Sequence, residues 1–334
     1  QGFEQAMDQQ RQRAKAAAVS IDLTLQGAIE QMAADLEATS FKGYLALEHP
    51  SCVLALVVNG ESAERASAGD SVQIVLDTTP FYGESGGQVG DRGVLLGEGF
   101  GGDGVIVAVD DVSRNRSVFV HFGRIERGTL AVGELVNAQV DRACRRSVQS
   151  HHTATHLLQA ALKQVVDPGI AQAGSLVDFD RLRFDFHCSR AVTTAELEQI
   201  EILINGWITE AHDLNVEEMA IEKAKAAGAV AMFGEKYADV VRVVDVPGVS
   251  MELCGGTHVA NTAEIGLFKI VAESSVAAGI RRIEAVAGPA VLAYLNERDE
   301  VVKKLVERLK VQPGEIFERV MAVQDELRDV NKAL

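Results

Sequence analysis

Two pairs of residues in this chain have the types and the spacing of metal ligands. His152 and His156 are separated by three residues, so a helix would place both imidazoles on one face. Cys254 and His258 have the same spacing, and the two glycines between them would let the backbone turn until both side chains converge. One thiolate and three imidazoles suit tetrahedral Zn²⁺ better than Ca²⁺ or Mg²⁺, which prefer oxygen ligands. The sequence therefore predicts one zinc ion per chain on these four residues.

Nearby residues are weaker candidates for the same metal. His151 would project about 100° away from the first ligand on a helix, so we expect it to lie outside the ligand set. Cys188 follows His187 in a run that we expect to be extended, where it is a small core residue or a substitute should one ligand fail. Thr153 stands where zinc peptidases carry a glutamate base, which argues against a metallopeptidase.

The composition limits the possible functions. The 334 residues carry 32 basic and 48 acidic side chains, a net charge of −16, and no segment is net basic. This balance argues against a large nucleic-acid footprint, so any nucleic acid must be held by local patches. Four cysteines in a chain of this length indicate a reducing, cytoplasmic setting. No apolar run approaches the roughly 18 residues that predict a membrane helix, and neither GxxxxGK[ST] nor GxGxxG occurs.

The elements that would position the ligands begin with two contrasting segments. Residues 1–40 have the composition and apolar spacing of helices. Residues 41–141 contain short β-type runs separated by turn residues, which predicts a small barrel. We expect its strands at 52–58, 71–77, 104–112, 117–123 and 134–141.

The remaining segments predict an α+β domain and a helical tail. Within 142–288, two helical runs alternate with extended ones. We expect helices at 150–166 and 194–211, and strands at 182–187, 240–246, 267–272 and 282–287. In 316–334 the apolar residues recur as a heptad seam, and Pro313-Gly314 separates them from a helix over 292–309. We expect the two stripes to pack as an antiparallel hairpin, with an intermolecular coiled coil as the alternative.

Several longer motifs occur in order along the chain. They are DTTPFYGESGGQVGD (77–91), HTATHLL (152–158), QAGSLV (172–177), LRFDF (182–186), FGEKY (233–237), CGGTH (254–258) and GIRRIEA (279–285). With these motifs the chain closely resembles the editing region of bacterial alanyl-tRNA synthetases, over nearly its whole length. His151 departs from the asparagine more usual at that position, which is outside the ligand set.

The resemblance implies a fold and a division into domains. The fold would be α+β, with a small β-barrel followed by a zinc-containing editing domain of the second-additional-domain type of threonyl- and alanyl-tRNA synthetases, flanked by helical segments. The domains would be the end of a tRNA-recognition region (1–40), the barrel with its glycine-rich motif (41–141), the zinc-binding editing domain (142–288) and a helical stem (289–334). Because the chain opens on glutamine and has no class II catalytic domain, we expect it to be cut from a longer protein.

The resemblance also implies an activity. The region would hydrolyse the ester of mischarged Ser-tRNA(Ala) and Gly-tRNA(Ala), with tRNA(Ala), especially its CCA end, as the partner. The full-length ligase would use ATP and could dimerise through its C-terminal region. Gln172, Thr153 and Thr155 are then candidates for recognising the serine hydroxyl. Cys254 could admit water or the substrate amine if its bond to zinc lengthened, although four protein ligands are typical of an organising zinc.

RNA contacts are expected from a loop and from local basic groups. By the resemblance, the exposed backbone of Gly86 and Gly87 would approach the CCA end. The basic groups are Arg142, Arg145 and Arg146, placed before the zinc helix, with Arg181, Arg183, Arg281 and Arg282. Two other functions stay open. One is a free-standing alanyl-tRNA deacylase, against which the helical ends argue, and the other is a non-catalytic zinc-stapled module for tRNA binding or dimerisation.

Overall fold

The structure is a computed structural model that describes residues 36–231 and 237–333. The helices expected in 1–40 and most of the FGEKY motif at 233–237 lie outside the described residues. Within the described ranges the chain forms a β-barrel, an α+β unit and two C-terminal helices. The predicted α+β class is therefore correct.

The first unit contains a closed six-stranded β-barrel. Its strands and the short ones beside them are β1 (Ser40–Phe41), β2 (Glu48–Val58), β3 (Glu61–Ala63), β4 (Arg65–Ser67), β5 (Ser71–Leu76), β6 (Thr78–Thr79), β7 (Gly93–Gly97), β8 (Val105–Asn115), β9 (Val118–Arg127), β10 (Thr129–Ala131) and β11 (Leu135–Val140). The sheet runs β11-β7-β8-β9-β5-β2, and β2 pairs again with β11 to close it. The sequence predicts five of these six strands. It misses β7, which is short and has a glycine at each end, a residue depleted in strands.

The barrel interior is filled by alternate side chains of its strands. Val105, Val107 and Val109 of β8 are buried, whereas Ile106 and Ala108 between them are partly exposed. This period of two is what a sheet with one face on a core requires. The barrel is thus a packed support for the segment that connects β6 to β7.

A buried histidine interrupts the apolar barrel. His121 lies 2.8 Å from the Thr79 hydroxyl and 3.1 Å from the Ile74 carbonyl oxygen. Burial lowers the pKa of His121 to about 4, against the opposing effect of the bond to Ile74. The imidazole is therefore neutral near neutral pH.

The second unit packs helices on antiparallel sheets. Its elements are α1 (Arg142–Val165), β12 (Gln172–Val177), β13 (Leu182–His187), α2 (Thr194–Thr209), β14 (Asn215–Ala220), α3 (Ile221–Ala226), β15 (Val240–Val246), β16 (Ser250–Leu253), a 3-10 turn (Thr262–Ile265), β17 (Phe268–Ala277) and β18 (Ile280–Ala287). One sheet has the order β12-β13-β18-β17 and the other β14-β15-β16. Helices α1 and α2 share a core with the first sheet. This core fixes α1, which carries two of the predicted metal ligands.

Helix α1 begins eight residues before the predicted start at Ser150. Asp141 caps it, because its side chain accepts hydrogen bonds from the backbone N–H groups of Ala143 and Cys144. Arg142, Arg145 and Arg146 therefore lie within the helix rather than before it. The prediction missed this start because the first turns contain several arginines and few apolar residues that could show a helical spacing.

The C-terminal helices are α4 (Pro289–Leu309) and α5 (Ile316–Ala333), joined through a 3-10 turn (Pro313–Glu315). Their apolar seams do not pack on each other as expected. Leu292 is 64% exposed in α4 and Leu327 60% exposed in α5. Within the described residues the seams are half-buried only near the turn, at Leu309, Ile316 and Val320, and are exposed along most of their length. The predicted packing of one full stripe on the other is therefore wrong. Among the described helices, none combines the length and the apolar character needed to cross a bilayer.

Candidate functional site

The structure brings the four predicted metal ligands together. One ligand atom from each of His152, His156, Cys254 and His258 lies within 4.8 Å of the others, and the cluster is largely buried. Cys254 Sγ is 3.4 Å from His152 Nε2 and 3.2 Å from His258 Nε2. A tetrahedral zinc with bonds of about 2.0–2.3 Å needs ligand atoms roughly 3.3–3.8 Å apart. These four residues could therefore hold a metal ion, and their spacing fits zinc.

The two glycines of the CGGTH segment have different environments. Neither adopts a positive φ, so tight turning is not the reason for glycine here. A Cβ on Gly256 would collide with the His152 ring and stand 2.8 Å from Gln88 Oε1. A Cβ on Gly255 would meet only Tyr44 Oη, at 3.9 Å. Gly256 is required because the His152 ring packs directly on its backbone.

Two of the ligand histidines have polar partners on their second ring nitrogen. His152 Nδ1 lies 2.7 Å from Gln88 Oε1, and His258 Nδ1 lies 3.1 Å from Thr153 Oγ1. Such partners fix the ring orientation and tautomer of a ligand histidine. Thr153 also accepts a hydrogen bond from the Val259 backbone N–H, at 3.3 Å. It is fully buried behind His258 and does not line the cavity described below, so a direct contact with substrate is wrong for Thr153.

The electrostatics of the cluster favour the metal-binding form of two of its members, Cys254 and His258. Burial raises the pKa of the Cys254 thiol, but His152 and His258 outweigh burial and lower the pKa well below its ordinary value. The thiolate is the form that binds metals. Burial and the neighbouring His152 lower the pKa of His258 to about 3, which leaves this imidazole neutral.

His156 differs from the other ligands because a carboxylate faces it. Its Nε2 lies 3.7 Å from Glu252 Oε2. Burial alone would lower the pKa of His156. The opposite effects of Glu252 and the Cys254 sulfur are larger together, and they raise this pKa to about 9. Glu252 is itself held by Ser250 Oγ at 2.9 Å and Gln159 Nε2 at 3.2 Å, both on Oε1. A negative charge is therefore fixed beside the cluster.

A cavity of about 400 Å³ opens onto the cluster at the junction between the barrel and the α+β unit. His152, His156 and Cys254 form part of its wall. The other polar residues of its lining include Ser85, Arg114, Thr155, Gln159, Gln172, Ser175, Arg242 and Glu252. The predicted residues Gln172 and Thr155 thus reach the cavity, although the Thr155 hydroxyl already donates to the His151 carbonyl oxygen at 2.8 Å.

The glycine-rich loop of the barrel forms one edge of this cavity. Gly86 and Gly87 both have positive φ, 59° and 83°. Gly86 lines the cavity and has open space around a hypothetical Cβ, whereas a Cβ on Gly87 would stand 2.6 Å from the Ser175 carbonyl oxygen. Gly87 is therefore packed against β12 and only half-exposed, and Gly86 is the glycine that lines the cavity.

The expected role of Arg145 as an RNA contact is wrong. Its side chain is 2% exposed and forms a buried ion pair with Asp91 of the glycine-rich motif. The guanidinium also donates to the carbonyl oxygens of Gly43 at 2.6 Å and Pro80 at 2.9 Å. Sequence could not separate it from Arg146, which is 49% exposed and pairs with Glu264 at 2.9 Å. Arg145 holds the barrel to α1.

The other arginines predicted to contact RNA differ in whether an acidic side chain already pairs with them. Arg281 binds Glu273 through two 2.6 Å hydrogen bonds, and Arg282 binds Asp185 at 2.7 and 2.8 Å. Both are cross-strand ion pairs whose charge is already compensated. Arg183 lies 3.6 Å from the same Asp185. Arg181 is exposed.

The sequence analysis did not identify three residues that support the site. Gln88 is fully buried and contacts both ligand segments. Arg242 donates to the carbonyl oxygens of Cys254 at 2.8 Å and Gly256 at 2.9 Å, and stacks on the Tyr44 ring at 4.1 Å. Tyr44 donates in turn to the Gly255 carbonyl oxygen at 2.5 Å. The position of Gln88 inside the glycine-rich motif was the one available clue.

The weaker metal candidates stay outside the cluster, as predicted. His151 points to the Asp178 carbonyl oxygen, 2.9 Å from its Nδ1. Cys188 Sγ donates to the Arg190 carbonyl oxygen at 3.3 Å. All four cysteines of the chain are free thiols in the structure.

Comparison with known proteins places these features in a family. Residues 1–144 match the family described as tRNA synthetases class II (A), and residues 241–284 match the threonyl and alanyl tRNA synthetase second additional domain. The chain is 87% identical over 334 residues to the alanine–tRNA ligase of Prochlorococcus marinus (strain MIT 9313) and 78% identical over 333 residues to that of Synechococcus sp. (strain RCC307). In both comparisons all of this chain is covered, and it spans 37% of the length of the relative. The chain belongs to the alanine–tRNA ligase family.

Proposed function

We propose that this chain edits mischarged tRNA, hydrolysing the ester of Ser-tRNA(Ala) and Gly-tRNA(Ala). The observation that carries the proposal is the metal-ligand cluster in the wall of a polar cavity between the barrel and the second-additional-domain unit. A hydrolytic site of this kind needs room for an aminoacyl ester, donors to orient it and access for water. The cavity offers all three.

The need for such a site follows from the limits of binding. A synthetic pocket built for alanine cannot exclude the smaller glycine by size, and an added hydroxyl is rejected only about 100-fold by a pocket without specific polar contacts. Hydrolysis in a second pocket removes these products. That pocket must spare alanine, so a donor or acceptor for the serine hydroxyl is required. Gln172 and Thr155 are the lining residues proposed for this recognition.

The metal proposed for the cluster is zinc, one ion per chain. His152, His156, Cys254 and His258 would hold it, and when bound it supplies a fixed positive charge that organises the cavity wall. Arg242 braces the CGGTH segment through two carbonyl oxygens, which keeps Cys254 and Gly256 in place. Glu252 supplies the only carboxylate lining the cavity among the described residues.

The RNA partner is proposed to be the aminoacylated CCA end of tRNA(Ala). Since the chain has a net charge of −16, only local groups can contact phosphates. Among the predicted groups, Arg142, Arg146 and Arg181 are exposed, and Gly86 presents backbone at the cavity edge. For the full-length protein we propose the ATP-dependent attachment of alanine, a cytoplasmic location and dimerisation through the C-terminal region.

A second function is favoured by one specific observation. Four protein ligands already complete a tetrahedral shell, which is the pattern of structural zinc sites. The chain would then be a zinc-stapled tRNA-binding module without catalysis. Binding of mischarged tRNA without release of the amino acid would support this alternative.

The test is a deacylation assay with Ser-tRNA(Ala), Gly-tRNA(Ala) and Ala-tRNA(Ala). We expect release of serine and glycine, with alanine spared by about 100-fold or more. Cys254→Ala should lose zinc and lower the rate, whereas Cys188→Ala, at a partly buried thiol outside the cluster, should retain both. Full activity and full zinc content in Cys254→Ala would exclude a role for this cysteine, and no release by the unaltered protein would refute the proposal.

A further inference from the structure

Gln88 connects the barrel to the metal cluster. Its side chain is fully buried, and Oε1 lies 2.7 Å from His152 Nδ1 and 2.9 Å from the Thr257 backbone nitrogen. Its Nε2 donates to Thr257 Oγ1 at 3.0 Å. One barrel side chain thus contacts both a ligand on α1 and the CGGTH segment.

These contacts determine which nitrogen of His152 carries its proton. The Thr257 backbone N–H can only donate, so the Gln88 atom beside it must be the amide oxygen. That oxygen can only accept, so His152 Nδ1 must be the protonated nitrogen. In the neutral imidazole the lone pair is then on Nε2, the atom that faces Cys254 Sγ at 3.4 Å. Gln88 selects the tautomer that metal coordination requires.

The same segment of the barrel is tied to the α+β unit on both sides of Gln88. The Val177 N–H donates to the Gly87 carbonyl oxygen at 2.7 Å, and the Val89 N–H donates to the Val177 carbonyl oxygen at 3.1 Å. Asp91, three residues on, forms the buried ion pair with Arg145. Gln88 is in place only when the barrel is docked.

We propose that Gln88 is a positioning residue for His152, and that metal binding and docking of the barrel stabilise each other through it. The inference rests on the proposed zinc site but not on catalysis. Partners of ligand histidines commonly contribute 10- to 100-fold to metal affinity. Coupling is reciprocal, so the factor that docking adds to metal affinity is the factor that metal adds to docking.

The test separates the acceptor atom of Gln88 from its bulk. Gln88→Met fills similar space without an acceptor, and we expect it to weaken Zn²⁺ affinity by about 10- to 100-fold in competition with a chromophoric chelator. Gln88→Glu keeps the acceptor and should bind within about threefold of the original protein or more tightly. Gln73→Met is the matched control, because Gln73 is a buried barrel glutamine whose amide oxygen has no hydrogen-bond partner. It should leave the affinity unchanged.

Two further measurements report on mechanism rather than on stability. With ¹⁵N-labelled histidine, the Nδ1–H signal of His152 should be protected from exchange in the original protein and lose that protection in Gln88→Met. Hydrogen exchange of the Val89 and Val177 amides should slow when Zn²⁺ is added, and this slowing should be reduced in Gln88→Met. If Gln88→Met does not fold, Gln88→Asn replaces it, because its shorter amide cannot reach His152.

The outcomes distinguish this inference from the proposed function. If the original protein binds no Zn²⁺, the proposed metal site itself is wrong. If it binds Zn²⁺ and Gln88→Met binds equally well, Gln88 is not a positioning residue. Equal losses in Gln88→Met and Gln88→Glu would show that packing, not the acceptor, matters, and would also overturn the inference.

Discussion

Replacing Gly256 with alanine is expected to remove His152 from the metal centre, whereas the same change at Gly255 is expected to be nearly silent. A Cβ on Gly256 would stand inside 3.0 Å of two atoms of the His152 ring, closer than real Cβ atoms approach. On Gly255 its nearest neighbour would be Tyr44 Oη at 3.9 Å, an ordinary contact. The same methyl group thus collides with a neighbour at Gly256 and does not at Gly255, so Gly255→Ala is a matched control for Gly256→Ala.

The collision is large compared with the tolerance of a metal site. Carbon contacts are optimal at about 3.5–4.0 Å. Because the Cβ would stand 2.0 Å from His152 Cε1, the ring must retreat by roughly 1.5 Å or more. Metal–ligand distances tolerate about 0.2 Å. We therefore expect Zn²⁺ affinity to fall by about 100-fold or more. Overpacking should lower the free energy of unfolding of the zinc-free protein by about 1–3 kcal/mol.

Chelator competition and thermal unfolding, each with and without Zn²⁺, measure both effects. Deacylation of Ser-tRNA(Ala) should fall by about 100-fold or more in Gly256→Ala, as expected for a group misplaced by about 1 Å or more. Gly255→Ala should match the original protein in all three measurements. If Gly256→Ala retained the original Zn²⁺ affinity, the packing of His152 on this backbone would not be what positions the ligand.

Three other predictions concern the barrel and its junction. Arg145→Met should lower the free energy of unfolding by about 3–5 kcal/mol in urea, because it leaves a buried carboxylate unpaired, while the exposed Arg146→Met should change it by less than about 1 kcal/mol; equal effects would contradict the burial. Gly87→Ala should impair deacylation and folding far more than Gly86→Ala, since only Gly87 lacks space for a Cβ; similar variants would exclude tight packing on β12. The pKa of His121 is lowered to about 4, below the 6.5 of the unfolded chain, so its neutral form stabilises the fold above pH 6.5 and that stability is lost as pH falls through 4. In His121→Gln the difference from the original protein should shrink over that window by up to about 3 kcal/mol, and parallel pH profiles would refute the assignment.

The cluster of candidate metal ligands and most of the barrel could be predicted because their signals are local. An i, i+4 pair of histidines defines a helical face, and β-branched runs between turn residues define strands. The exposure of the C-terminal seams could not be predicted in this way. A heptad shows that an apolar face exists, but not which surface covers it.

The residues that support the ligands could not be predicted because their partners are distant in sequence. Gln88 contacts Thr257 across 169 positions, and Tyr44 contacts Gly255 across 211. Arg145 was misassigned for a related reason. In a run of three basic residues, the buried one is decided by the position of Asp91, 54 residues away.

The backbone contact between the glycine-rich loop and Val177 also covers one end of an exposed sheet edge. Strand β12 is an edge of its sheet, and an uncovered edge offers free N–H and C=O groups to strands of other molecules. The six main strands of the barrel close on themselves, which leaves only the short β3 as an edge of that sheet. By pairing Gly87 and Val89 with the end of β12, the loop extends that protection to the neighbouring sheet. Separating the two units between β11 and α1 would therefore expose this end of β12 to self-association.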